Sequence, residues 1–140
     1  MPTAAKKPWT VMYYLVAEPS AESLVNGQQM NVAAEAQLAA FGKAAALYPH
    51  ALHAVCQVDH NGPGGISRFL FDHSGKHELP VDQADQHASP SDHTVIKKFF
   101  STACRDYPAE HRAAFFWGHS FGPAGMFRTD HDSSIIRPTD

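Results

Sequence analysis

Arg112-Ala-Ala-Phe-Phe-Trp-Gly-His-Ser-Phe-Gly-Pro-Ala-Gly125 is an apolar run that stops on a histidine and passes into a glycine-rich turn. A short, continuously hydrophobic segment bounded by turn residues predicts a strand buried at the centre of a sheet. In open α/β sheets, ligands and catalytic groups gather beyond the carboxyl ends of such strands. His119 therefore stands where chemistry is expected. From position alone two readings stay open: a catalytic imidazole, or one that satisfies a strand end by hydrogen bonding.

Upstream, Trp9-Thr-Val-Met-Tyr-Tyr-Leu-Val16 is β-branched, aromatic and continuously apolar, which suits a strand covered on both faces. Met30, Ala34, Leu38, Phe41, Ala45 and Tyr48 recur at steps of three or four, one face of a helix that Pro49 ends and that Gly27 starts or bends. Leu52-His-Ala-Val-Cys-Gln-Val58 predicts a second strand. Asp59-His-Asn-Gly-Pro-Gly-Gly65 is dense turn chemistry ahead of a neighbouring strand, Ile66-Ser-Arg-Phe-Leu-Phe71. His77-Glu-Leu-Pro-Val81 is short and proline-interrupted, so it reads as an edge strand.

Ser89-Pro-Ser-Asp92 predicts a helix start, with Ser89 as N-cap, Pro90 in the first helical position and Asp92 returning a hydrogen bond to the cap. Val95, Ile96, Phe99, Phe100, Ala103 and Tyr107 give that helix an apolar face, opposite Lys97, Lys98 and Arg105. Pro108 stops it, and residues 112–117 form the next strand. The alternation predicts an α/β fold, a three-layer sandwich with a mostly parallel central sheet. The divisions are an N-terminal extension over residues 1–8, the α/β domain over 9–125, and a loop or truncated tail over 126–140 that leaves the domain incomplete at its C-terminus.

Composition narrows the function classes. With 140 residues, 44% of them apolar and 18% charged, the chain makes one domain with a sizeable core. Eleven Lys and Arg against fourteen Asp and Glu, with no basic stripe, argue against nucleic acid and anionic membrane as partners. No apolar run approaches the roughly 18 residues that span a bilayer. The N-terminus lacks the length and cleavage site of a secretory signal. Cys56 falls in a strand-like run and Cys104 in a helix-like one, so both read as small buried residues rather than a disulfide framework or a CxxC pair. A cytoplasmic, reduced location is the simplest expectation.

Other motifs carry less. Of the ten histidines only His73 and His77 stand at H-x-x-x-H spacing, and they fall outside the predicted helices, so no helical zinc site follows. Gly62-Pro-Gly-Gly65 lacks the Lys-Ser/Thr ending of a phosphate-binding loop and precedes a strand, so it reads as a turn. Asp130-His131-Asp132 offers hard oxygen ligands of the kind calcium takes, but a solvated loop is the preferred reading. Trp117 belongs either to the core or to the wall of a substrate cleft.

Read in order, residues 9–16, the Gln57-Val-Asp59 strand end, residues 66–71, the Tyr107-Pro-Ala-Glu-His111 helix exit and the Phe-Phe-Trp-Gly-His119 strand resemble the clostripain family of cysteine peptidases, in the caspase-like clan. The resemblance covers about residues 6–130. It implies a caspase-like fold, thiol-protease activity after Arg or Lys on a protein or peptide substrate, and His119 as the catalytic histidine. It also implies that the nucleophilic cysteine comes from the next sheet strand, supplied by a second chain or a C-terminal continuation. Ser120 stands where the clan usually has a glycine whose backbone N–H helps hold the oxyanion. Serine keeps that donor but loses glycine's freedom of φ.

No cofactor is implied, apart from the calcium dependence that occurs in the family. The chain is thus expected to be a histidine-bearing fragment or light chain, inactive alone. Two other classes remain: a non-catalytic caspase-like module that binds proteins through an apolar sheet edge, and an unrelated α/β protein that binds a small anion at the glycine loops near His60 and His119.

Overall fold

In the computed structural model the described residues are 3–17, 24–60, 65–89 and 91–118, with backbone alone for 24–31. Strand β1 (Lys7–Ala17) leads into helix α1 (Leu24–Leu47), which returns the chain to β2 (Leu52–His60). Strands β3 (Gly65–Asp72) and β4 (Gly75–Leu79) follow, then helix α2 (His93–Asp106) and β5 (Ala109–Trp117). The sheet order is β4-β3-β2-β1-β5, so β1, the first strand made, lies between the second and the last.

β1 pairs in parallel with both β2 and β5, whereas β2–β3 and β3–β4 are antiparallel. The expected α/β sandwich is present, but the sheet is mixed rather than mostly parallel. Four residues separate β2 from β3; a parallel return needs a crossover of a dozen or more residues, so β3 must come back as a hairpin partner. The short edge strand read at residues 77–81 forms two residues earlier, as β4. Gly75 takes φ of 121° in the turn that starts it, a conformation open to glycine at little cost.

The two helices cover opposite faces. Leu15, Ala17, Cys56, Val58 and Phe69 pack with Ala34, Leu38 and Ala45 of α1. Met12, Tyr14, Val16 and Val55 pack with Phe99 and Ala103 of α2. The stripe from Ala34 to Ala45 is the helical face expected from the sequence, and its small residues let α1 approach the sheet. At Gly42 a Cβ would come within 2.8 Å of the Phe71 ring. Burying one large side chain such as Phe99 stabilises by roughly 1.5–3 kcal/mol.

Two local details differ from expectation. Helix α2 starts at His93, and its cap is Asp92 rather than Ser89: the Asp92 carboxylate accepts from Thr94 N at 2.8 Å and from Thr94 Oγ1 at 2.7 Å. Ser89 instead closes a turn, its carbonyl accepting from Asp92 N at 3.0 Å and its hydroxyl lying 2.9 Å from Ser91 Oγ. A carboxylate takes the helix's free N–H groups more strongly than a hydroxyl, because it also meets the positive end of the helix dipole. The second difference is β5, which is no buried central strand. It is the sheet edge, with Glu110, His111, Arg112, Ala114, Phe115 and Phe116 exposed. Among the described residues only β1 pairs with it.

The N-terminal segment makes backbone contacts with the rest of the chain. Ala4 N donates to Asp106 O at 2.9 Å, and β1 already begins at Lys7. Lys7 Nζ donates to Pro49 O at 2.6 Å and Leu52 O at 3.0 Å, tying β1 to the connection between α1 and β2 and to the start of β2.

Candidate functional site

The three parallel strands end together. Ala17 is level with His60, and Leu15 with Trp117, so the carboxyl ends of β1, β2 and β5 form one rim of the sheet. The chain leaves β1 toward β2 on one side and re-enters at β5 on the other, with α1 and α2 on opposite faces, which is the switch-point arrangement where α/β folds place ligands. His119 and Ser120 follow Trp117 by two and three residues. Both lie outside the described residues, as do Asp130, His131 and Asp132 and the whole of residues 126–140.

The described part of the rim is polar on β2, aliphatic on β1 and aromatic on β5, with Tyr13 further back, level with Cys56. His60 Nε2 lies 3.8 Å from Glu35 Oε1 of α1, and Asp59 is buried beside it in sequence. Tyr13 donates its hydroxyl to Gln37 Oε1 at 3.0 Å and stacks on Phe41 at 5.5 Å. Burial raises the Tyr13 pKa above that of an ordinary phenol. Trp117 is half-buried and packs on the α1-side core, which favours the core reading for it.

Neither cysteine is built as a nucleophile. Cys56 is fully buried in mid-strand, and burial pushes its thiol up to about 12, so almost none is thiolate at neutral pH. Cys104 sits within α2, its Sγ 3.8 Å from Met12 Sδ on the α2-side core and away from the strand ends. The expectation that both are small packing residues agrees with these positions.

One cluster has the composition of a hydrolytic triad and the wrong geometry. In the β3–β4 turn, His77 Nε2 lies 2.9 Å from both Ser74 Oγ and Asp72 Oδ1, while Ser74 Oγ also donates to Asp72 at 2.7 Å. A working triad uses opposite nitrogens of the ring, one toward the nucleophile and one toward the carboxylate. Here one nitrogen serves both, on an exposed turn. The Ser74 hydrogen bonds, and then His77, hold the Asp72 carboxyl well below the usual carboxylate range, so the cluster fixes the turn.

Among the described residues no three His, Cys, Asp or Glu side chains group to hold a metal ion, and no helix is long and apolar enough to cross a membrane. Sequence reading missed a buried polar pair on the α2 face: Arg68 Nε donates to Gln57 Oε1 at 2.6 Å. An arginine and a glutamine within two otherwise apolar strand runs were the available signal.

No protein-family model matches the chain, and no curated protein matches it. Among solved structures, a B. fragilis cysteine protease superposes with a TM-score of 0.58 at 19% sequence identity, covering 82% of this chain and 91% of that chain. The chain therefore shares the α/β fold of that protein.

Proposed function

We propose that this chain is the histidine-bearing portion of a clostripain-like cysteine endopeptidase that cleaves after Arg or Lys. The observation that carries the reading is the placement of β5: parallel to the central β1, ending two residues before His119, and, among the described residues, unpaired along its outer edge. The likeness in fold to the B. fragilis cysteine protease supports the same reading. The cysteine is supplied by a second chain or a C-terminal continuation, whose strand extends the sheet beyond β5. Cys56 and Cys104 are spectators.

In this mechanism the partner thiolate attacks the carbonyl carbon after an Arg or Lys residue of the substrate. The oxyanion is met by backbone N–H groups, that of Ser120 among them. As the C–N bond breaks, His119 gives a proton to the leaving amine. The neutral imidazole then takes a proton from water, which attacks the thioester and releases the acid and the thiolate. An acidic pocket selects the basic side chain by charge-assisted hydrogen bonds.

The test is turnover of Arg and Lys ester or amide substrates by the chain together with its cysteine-bearing portion. Native mass spectrometry of material from the natural source identifies that portion. His119→Ala should abolish turnover and leave the far-UV circular dichroism unchanged; undiminished turnover overturns the assignment. A second reading, a non-catalytic protein-binding module, is favoured by Phe115 and Phe116 standing exposed along the same edge. It predicts that the chain occurs without any cysteine-bearing partner.

A further inference from the structure

Five residues line up across the sheet at one level: Leu79, Arg68, Gln57, Tyr14 and Phe116, from β4 to β5. Laterally paired residues share a face, here the face that α2 covers, where Tyr14, Leu79 and Phe99 belong to one apolar cluster. Arg68 is the exception in that row. Only 6% of it is exposed, and its guanidinium carbon lies 5.8 Å from the centre of the Phe99 ring.

Its charge is poorly answered. Nε donates to the neutral Gln57 Oε1, but among the described residues Nη2 is buried with no acceptor, and so is Gln57 Nε2. None of the ion pairs among the described residues includes Arg68. The nearby carboxylates are engaged elsewhere: Asp82 and Asp85 accept from Lys98 at 2.5 and 2.6 Å, and Asp106 from Arg105 at 2.7 and 3.0 Å. Burial lowers the arginine's pKa, against the longer-range pull of Asp85 and Asp82. A buried cation that keeps its proton calls for an anion.

Beside Arg68 is a cavity of about 100 Å³ walled by Val55, Leu79, Pro80, Phe99, Ala103 and Tyr107, with Thr102 and the Arg105-paired Asp106 also lining it. Arg68 also lines a neighbouring polar depression with Thr102, Lys98, Arg105, Asp82 and Asp106, and the two share Arg68, Pro80, Thr102 and Asp106. We propose that this cavity binds a short-chain aliphatic monocarboxylate, its carboxylate on Arg68 and its hydrocarbon tail between Leu79 and Phe99. The guanidinium supplies paired donors that match a carboxylate. The apolar side chains of the wall, and the Asp106 carboxylate beside them, disfavour a second negative charge. The volume is below the roughly 150 Å³ of cavities that take benzene, which limits the tail to a few carbons. The site lies under α2 near the β4 edge and needs no cysteine, so it stands or falls independently of the protease reading.

The experiment is thermal denaturation of the 140-residue chain in sodium butyrate, with sodium chloride at equal ionic strength and 1-butanol as controls. Alongside it, NMR follows the Arg68 Nε–H signal during butyrate titration. Butyrate should raise Tm saturably and shift the Arg68 signal with the same midpoint, whereas chloride and butanol should do neither. Arg68→Met should weaken butyrate binding about tenfold or more. If Arg68→Met does not fold, Ala103→Leu serves instead: it fills the cavity, keeps Arg68, and should abolish the butyrate effect. Equal stabilisation by chloride would mean a general salt effect, and equal stabilisation by butanol an apolar cavity without anion recognition. Either of these, or an unmoved Arg68 signal, overturns the proposal.

Discussion

Phe116 of β5 lies beside Tyr14 of β1 with ring centroids 6.1 Å apart, yet Phe116 is 44% exposed and Tyr14 only 1%. Two aromatic residues paired across one ladder thus have unequal surroundings, because among the described residues β1 has a strand on each side and β5 has one. Their substitution costs should divide accordingly. Phe99→Ala, on the buried side of the same aromatic group, should cost about 3–5 kcal/mol. Phe115→Thr, at a site 51% exposed and with good strand propensity retained, should cost about 1 kcal/mol or less. Urea denaturation of the three proteins checks the ordering. Should the cysteine-bearing portion cover this edge, Phe115→Thr would weaken its capture far more than it lowers stability.

Asp92 closes the N-terminus of α2 through Thr94 N and Thr94 Oγ1. Asp92→Ala should therefore destabilise by about 1 kcal/mol, and Asp92→Asn by less, since Asn still caps. Those two Thr94 hydrogen bonds hold the Asp92 carboxyl below its usual range. With the folded value depressed, the unfolded chain takes up protons first as pH drops. The cap's charge-dependent contribution is complete above the unfolded value of about 3.9 and is lost as pH falls through the folded one. Denaturation midpoints of wild type and Asp92→Asn should converge in that acid range.

The two helices and the aromatic β1 were legible in the sequence because each rests on local signals: periodicity, β-branching and proline. What was not legible depended on partners. Ala-Ala-Phe-Phe-Trp117 has the composition of a central strand, and nothing within it records that only one side is paired. The cap of α2 was misplaced by three residues because Ser89 and Asp92 both satisfy the capping pattern, and the choice rests on which backbone N–H groups the folded chain presents. Arg68 was passed over because a cation inside Ile66-Ser-Arg-Phe-Leu-Phe71 could be read as facing outward. Only the register with Gln57 and the packing of α2 turn it inward.

The cysteines give a chemical test of the packing. Cys56 is fully buried with its thiol pushed up to about 12, whereas Cys104 is only partly buried. Iodoacetamide on the native protein at neutral pH should modify Cys104 first and leave Cys56 until the chain unfolds. Peptide mapping after a timed reaction reads the order. Cys56→Ser and Cys104→Ser should each leave the turnover of the reconstituted enzyme unchanged if the nucleophile lies outside this chain. Loss of turnover in either, with folding intact, would move the nucleophile into it.

His53 ties the N-terminal segment to the sheet: its Nε2 lies 2.8 Å from Ala5 O, and its ring packs 5.6 Å from Tyr107. The hydrogen bond to a carbonyl requires the proton on Nε2, which the neutral ring supplies. Burial, ahead of the Lys7 charge, lowers the His53 pKa, while the Ala5 carbonyl acts against it. The unfolded chain therefore binds a proton near the ordinary value of about 6.5 before the folded one does. Stability rises with pH through this window, is fully present above it, and is lost as pH falls from the unfolded value toward the folded one. His53→Gln keeps an N–H donor without the titration, so it should flatten that part of the stability–pH curve. The amide of Lys7, which donates to Pro108 O at 3.2 Å at the start of the same segment, should exchange faster at pH 5 than at pH 8 once the intrinsic rate is divided out. An unchanged protection factor, or a slope that survives His53→Gln, would assign the acid sensitivity to other groups.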